Sequence, residues 1–570
     1  MEAIEKRERK YFSQAFEPSN WETLEPEIKR ILDKEVSSVD DLEELIYEMS
    51  ELMDIVDEAL AWRYISMTRF PEKEHEEEYN RFYAQVIAKS KPLVFMIRKK
   101  IYQSPFKKDL DENRFGNYLK ILNNDIELFR EENIPLEVEE KKLSNRHGEI
   151  IGSSTVEFRG EEKTLIQLKN LLKESDRSLR EEAWKALMSK LGELKPQLDD
   201  VFDRLRALRD QQARIAGFDN YRDYMHKKKG RFSYGVGDVM KFHRAVEEEV
   251  VPFLREVTRF KAKKMGLEAI RPWDEAADPD GKVLKPFKTE EELIEKAVNV
   301  LSRVRSEFGE RLDTMRKAGL LDLENRKGKR PGGYNYSLSE TGAPFIFMNA
   351  VGSNGDVRTI LHESGHAMHS FSTASERISE YRDYPSEAAE LASMAMELLT
   401  MDHLEEFYHD KQDLEKALRD QLLGTLYFLP WCVTVDAFQQ WIYTNPNHNT
   451  KERDDYFLKL SERFNTGADW SGLERERKLQ WLMQIHIFTS PFYYIEYGIA
   501  QLGALAIWRN YRTNPQKAIS QYEDFLKLGY SKPLDQLYRT AGIEFNFSSN
   551  YLSKLVNLVR DEVKKTGWSV

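Results

Sequence analysis

His362 and His366 stand four residues apart with Glu363 beside the first, an HExxH stretch inside Thr359–His369, and only one backbone form makes chemical use of that spacing. On an α-helix, positions i and i+4 lie about 40° apart around the axis, so both imidazoles leave one face a turn apart and can hold a single tetrahedral ion. Glu363 falls on the flank, where a carboxylate reaches water on that ion without becoming a ligand. Val357, Ile360, Leu361, Met368 and Phe371 occupy the opposite side, the pattern of a helix with its back in a core.

Two histidines leave a catalytic metal site one protein ligand short, since such sites use three and keep a fourth position open. No HxxGxxH continuation follows His366. His369 shares the histidine face but is carried a further turn along the axis, which suits a structural or supporting role. The run Tyr384–Leu399 reads as a second helix with Pro385 in its first turn, and its Glu387, Glu390 and Glu397 share one face. Small Ala and Ser residues between them allow another helix close. Periodicity does not choose among the three glutamates.

Ahead of the metal helix, Lys329–Asn349 contains two β-prone runs joined by a Ser/Gly turn. A hairpin there offers a strand edge on which an extended peptide could pair through main-chain hydrogen bonds. An ordinary covered hairpin is the alternative. Farther on, Ser490 and Pro491 read as the start of a helix that sets Tyr494 and Tyr497 one turn apart. Phenols serve where a tetrahedral intermediate develops negative charge, although a chain with 26 tyrosines also uses them as ordinary core.

Composition narrows the classes. With 86 Lys and Arg against 98 Asp and Glu, the net charge of −12 argues against generic binding to nucleic acid or anionic membrane. The one cysteine, Cys432, lies in an apolar run as a buried, inert thiol and cannot form an internal disulfide. The charged opening Met1–Lys10 is no signal peptide, and no uncharged run reaches the roughly 20 residues that span a bilayer, so cytoplasmic residence is expected. Helical periodicity dominates from Asp40 to about Lys120 and again from Leu165. Between them, 136–166 reads as a β-rich insertion with a turn at Ser144–Gly148.

Taken in order, Arg330–Tyr334, Ala343–Asn349, Asp356–His369, Ala389–Glu397 and Ser490–Tyr497 resemble the thimet oligopeptidase and oligoendopeptidase F group of zinc metallopeptidases, most of all its bacterial oligoendopeptidase F branch. The resemblance implies one zinc ion per chain on His362, His366 and Glu390, with Glu363 as general base and Glu397 orienting a ligand histidine. It also implies substrate binding and oxyanion stabilisation by His486, Tyr494 and Tyr497, and a substrate strand beginning at Gly332, Gly333 and Tyr334. The implied fold is mainly α and neurolysin-like: two helical lobes flanking a deep substrate channel, with a small β-sheet beside the zinc helix. We divide it into an N-terminal lobe, 1–190, and a catalytic lobe, 191–570. The expected substrates are short unstructured peptides cut at internal bonds. A carboxypeptidase or dipeptidyl carboxypeptidase on the same scaffold, and a non-catalytic peptide-binding protein, are the rivals.

Overall fold

The computed structural model describes residue 4, 6–330 and 332–570; Met1, Glu2, Ala3, Glu5 and Pro331 lie outside it. Helix accounts for 70% and strand for 4%, so the mainly α expectation holds. Among the described residues no helix is long and apolar enough to cross a membrane. The elements that bear on function are α1 (Val39–Arg69), β1 (Thr155–Phe158), β2 (Glu161–Thr164), α2 (Arg177–Ile215), β3 (Leu321–Glu324), β4 (Tyr334–Leu338), β5 (Ala343–Ala350), α3 (Asn354–Thr373), α4 (Ser386–Leu399) and α5 (Tyr494–Thr513).

The chain folds as two units, each assembled from three separate segments. The first comprises Met1–Glu131, Leu284–Ala417 and Gly503–Phe545; the second comprises Glu132–Val283, Leu418–Leu502 and Asn546–Val570. The boundary expected at 190/191 therefore moves. That position lies inside α2, whose 39 residues run on through Pro196. Segments far apart in sequence share each core, which a pass along the chain cannot register.

The β-rich insertion also shrinks. Asn133–Ser153 is helical, including the expected turn at Ser144–Gly148, and only the short antiparallel pair β1–β2 follows. Tertiary bonds within the second unit override the local turn chemistry: Ser144 Oγ donates to the Phe488 carbonyl at 3.1 Å, and His147 Nε2 meets the Leu482 carbonyl at 2.8 Å. In the same unit the Cys432 thiol is buried and donates to the Tyr494 carbonyl at 3.1 Å.

In the first unit a three-stranded sheet has the order β3-β5-β4, with β5 parallel to β3 and antiparallel to β4. Ala343 to Met348 are all buried, as expected of a central strand covered on both faces. The hairpin predicted between β4 and β5 is present and leaves β4 at the sheet's edge. Alternation then sends β4 side chains two ways. Tyr334 and Tyr336 pack on Tyr64 of α1, at ring-centroid distances of 5.3 and 5.4 Å. Asn335 and Ser337 face α3, where the Ser337 and Ser370 hydroxyls are 2.9 Å apart.

Candidate metal centre

Helix α3 begins shortly after β5 ends. After Gly352, held at φ +88°, the Ser353 hydroxyl accepts from the Asp356 N–H, and the Asp356 carboxylate accepts from the Ser353 N–H. This reciprocal cap fixes the first turn of α3 and hence the phase at which His362 and His366 emerge. Val357, Ile360, Leu361 and Met368 are buried on the helix's other side, as the periodicity predicts.

Helix α4 packs directly against α3, and Gly365 makes this approach feasible. A Cβ built on Gly365 would stand 2.5 Å from Ser393 Cα and 2.6 Å from the Ala392 carbonyl oxygen. That carbonyl is itself held by the Tyr522 hydroxyl at 2.7 Å. The glycine inside the HExxH stretch thus serves the neighbouring helix. Gly365→Ala is expected to push the helices apart, lower stability by about 1–3 kcal/mol and weaken metal retention, as read by thermal unfolding with and without zinc.

The close packing brings Glu390 to the two histidines. Its Oε2 lies 3.3 Å from His362 Nε2 and 3.6 Å from His366 Nε2, and one donor atom from each residue falls within 4.8 Å of the others. A tetrahedral ion with bonds near 2.1 Å separates its ligands by about 3.4 Å, so the three donors fit such an ion. Ser393, one turn along α4, donates to Glu390 Oε2 at 3.2 Å. On the far side of His362, Nδ1 lies 2.7 Å from Glu397 Oε1, which leaves Nε2 to face the group. Of the three glutamates on the α4 face, two therefore surround His362, and Glu387 is buried one turn earlier, outside the donor group.

Electrostatics separate the roles. Burial depresses His366 to about 4, so its imidazole is neutral and available as a ligand. Burial also opposes charge on His362, but its hydrogen bonds to Glu390 and Glu397 overcome that and raise it well above the usual histidine range. An ion on Nε2 would take the place of that proton. Glu363 is 7% exposed, and burial lifts its carboxyl to about 7. Its Oε2 is buried with no hydrogen-bond partner in the structure.

His369 plays a packing part. It is fully buried, stacks on Tyr384 at 3.6 Å and meets Phe525 at 5.4 Å, with neither ring nitrogen hydrogen-bonded. Gly332, Gly333 and Tyr334 lead into the edge strand: the Gly332 carbonyl accepts from Asn349 at 2.9 Å, and the Tyr334 hydroxyl is 2.7 Å from that of Thr68. His486, Tyr494 and Tyr497 belong to the second unit, where they form a cluster of their own. The His486 ring lies 5.0 Å from Tyr494 and 6.0 Å from Tyr497, and Gln484 engages its Nδ1 at 2.8 Å. The helix bearing the tyrosines starts at Tyr494; Ser490 closes the preceding helical turn instead of opening α5.

Three neighbours escaped the sequence reading. Ser393 and Arg358 sit one turn from Glu390 and His362 on their own helices, a spacing that could have flagged both. Asn335 could not be found that way. Its Nδ2 donates to the Glu363 carbonyl at 3.2 Å across a contact made only in the folded chain.

Similarity to known proteins extends over most of the chain. Residues 170–557 match the model of peptidase family M3, and 12–129 match the peptidase M3 N-terminal domain. An oligoendopeptidase F homolog of Borreliella burgdorferi is 25% identical over 329 residues, covering 56% of this chain and 54% of that protein. The oligopeptidase PepF of Bacillus subtilis is 26% identical over 257 residues, 44% of this chain and 38% of the relative. The match thus spans about half or less of these two curated relatives. A solved structure of PZ peptidase A with an inhibitor superposes with a TM-score of 0.90 at 28% identity, over 98% of this chain and 99% of that one.

Proposed function

The chain belongs to peptidase family M3, and from that premise we propose that it is a zinc-dependent endopeptidase acting on internal bonds of short, unstructured peptides. The observation that carries the reading is the triangle of His362, His366 and Glu390 donors, with the unpartnered carboxylate oxygen of Glu363 beside it. Two imidazoles and one carboxylate form the donor set of a catalytic zinc site. When bound, zinc supplies Lewis acidity, lowering the pKa of water and polarising the scissile carbonyl.

The chain's own residues do the rest. Glu363 accepts the proton of the attacking water and delivers it to the leaving amine, a task for which a carboxyl lifted by burial is suited. Glu397 holds the His362 Nδ1 proton and so keeps Nε2 directed at the ligand group. The edge of β4 orients an extended peptide through main-chain hydrogen bonds while asking little of its sequence. Asn335 on that strand bonds the Glu363 carbonyl and so ties the peptide-bearing edge to the base. On the strength of the family resemblance we assign His486, Tyr494 and Tyr497 to substrate binding and support of the oxyanion.

Mass spectrometry of products from peptides of graded length, with free or amidated C-termini and with or without chelator, tests this reading. Internal cleavage of short peptides, indifferent to amidation and abolished by chelator, is expected. Release of C-terminal residues only from free carboxylates would favour the carboxypeptidase alternative. Zinc retained with no cleavage of any peptide would leave a binding protein.

A further inference from the structure

We propose that Arg358 is a positioning residue of the metal centre, acting through Glu397. Arg358 precedes His362 by four residues on α3, so the two side chains leave one helix face a turn apart. Both reach the same carboxylate on α4. His362 Nδ1 meets Glu397 Oε1 at 2.7 Å, and Arg358 Nη2 meets Glu397 Oε2 at 3.6 Å. Each oxygen of Glu397 therefore has its own partner, a hydrogen bond to the imidazole at one end and a longer ion pair to the guanidinium at the other.

Charge gives Arg358 a second reason to be there. Glu363, Glu390 and Glu397 bring three carboxylates to the centre; a bound dication leaves one negative charge over, and the guanidinium balances it. The two sides of Glu397 also differ in solvation. Its side chain is 12% exposed against 42% for Arg358, so the acid is fixed in a mostly dry position while the arginine bridges it to water. Glu397 freed at its Oε2 end can swing about its side-chain torsions and take the His362 ring with it. The ring's orientation decides where Nε2 points.

The inference rests on the metal reading above, and the test separates the two. Zinc affinity of the full chain is measured by chelator competition for wild type, Arg358→Met, Arg358→Lys, Glu397→Gln and the Arg358→Met/Glu397→Gln double variant, together with kcat and KM of each zinc-saturated protein. Arg358→Met keeps the aliphatic stem and is expected to weaken zinc about 10-fold, within the 10–100-fold range for partners behind a ligand, with KM unchanged. Arg358→Lys is expected to recover most of the loss. In the Glu397→Gln background, Arg358→Met is expected to change zinc affinity no further. Wild-type zinc affinity in Arg358→Met, or losses that simply multiply in the double variant, would overturn the role given to Arg358. A wild-type chain that bound no zinc would instead sink the metal reading beneath it.

Discussion

Glu363→Gln is expected to leave the protein folded and loaded with zinc while kcat/KM falls about 10³-fold, inside the 10²–10⁴ range that a positioned general base supplies. The carboxylate stands outside the group of His362, His366 and Glu390 donors, so its loss removes no ligand. What disappears is the proton acceptor, and the amide is nearly isosteric, so packing is kept. The pH profile adds a second readout. Burial lifts the Glu363 carboxyl to about 7, and a nearby dication draws it down again. The base works ionised, so activity is lost as pH falls through its pKa, and the acid limb of kcat/KM is expected at or below about pH 7. That limb is expected to vanish in Glu363→Gln. Wild-type turnover in the variant, measured with zinc content verified, contradicts the assignment.

Glu390→Gln is expected to fail differently, through loss of the ion. Its oxygen completes the triangle with both imidazoles at 3.3 and 3.6 Å, and an amide is a poor substitute for a charged ligand. Zinc affinity is expected to drop by more than the 10–100-fold that follows removal of an outer partner, and peptide cleavage with it. The zinc-free fold feels two opposing effects. Glu390 repels Glu363, which the neutral side chain relieves, but it is also the hydrogen-bonded partner that helps raise His362, which the neutral side chain loses. The zinc-free variant is therefore expected to melt near or somewhat below the zinc-free wild type, with a larger difference between the zinc-loaded forms. Calorimetry on both forms checks this, and an equal loss of stability in both would make Glu390 a structural residue alone.

Much of this arrangement is legible in the sequence. The four-residue spacing placed His362 and His366 on one helix face because a helix has a fixed period, and the apolar residues behind them located the core. Glu390 was legible only with the family pattern, since Glu387 and Glu397 share its periodicity. What separates the three is which turn of α4 Gly365 touches, and that contact exists only between helices. Asn335 was hidden for the same reason.

The expected turn at Ser144–Gly148 failed because local preferences of about a kcal/mol yield to bonds such as His147 to the Leu482 carbonyl. The division at 190/191 failed because each unit is built from three stretches of chain. The expected cap at Ser490 shows the same limit: the residues had helix-start chemistry, yet the backbone opens the helix at Tyr494.

Diffraction from crystals of the zinc-loaded protein, recorded above and below the zinc absorption edge, tests the central claim most directly. The account predicts one anomalous peak per chain, within bonding distance of His362 Nε2, His366 Nε2 and the Glu390 carboxylate. A peptide-cleaving enzyme with no peak at that position, or with its zinc held by other residues, would contradict it.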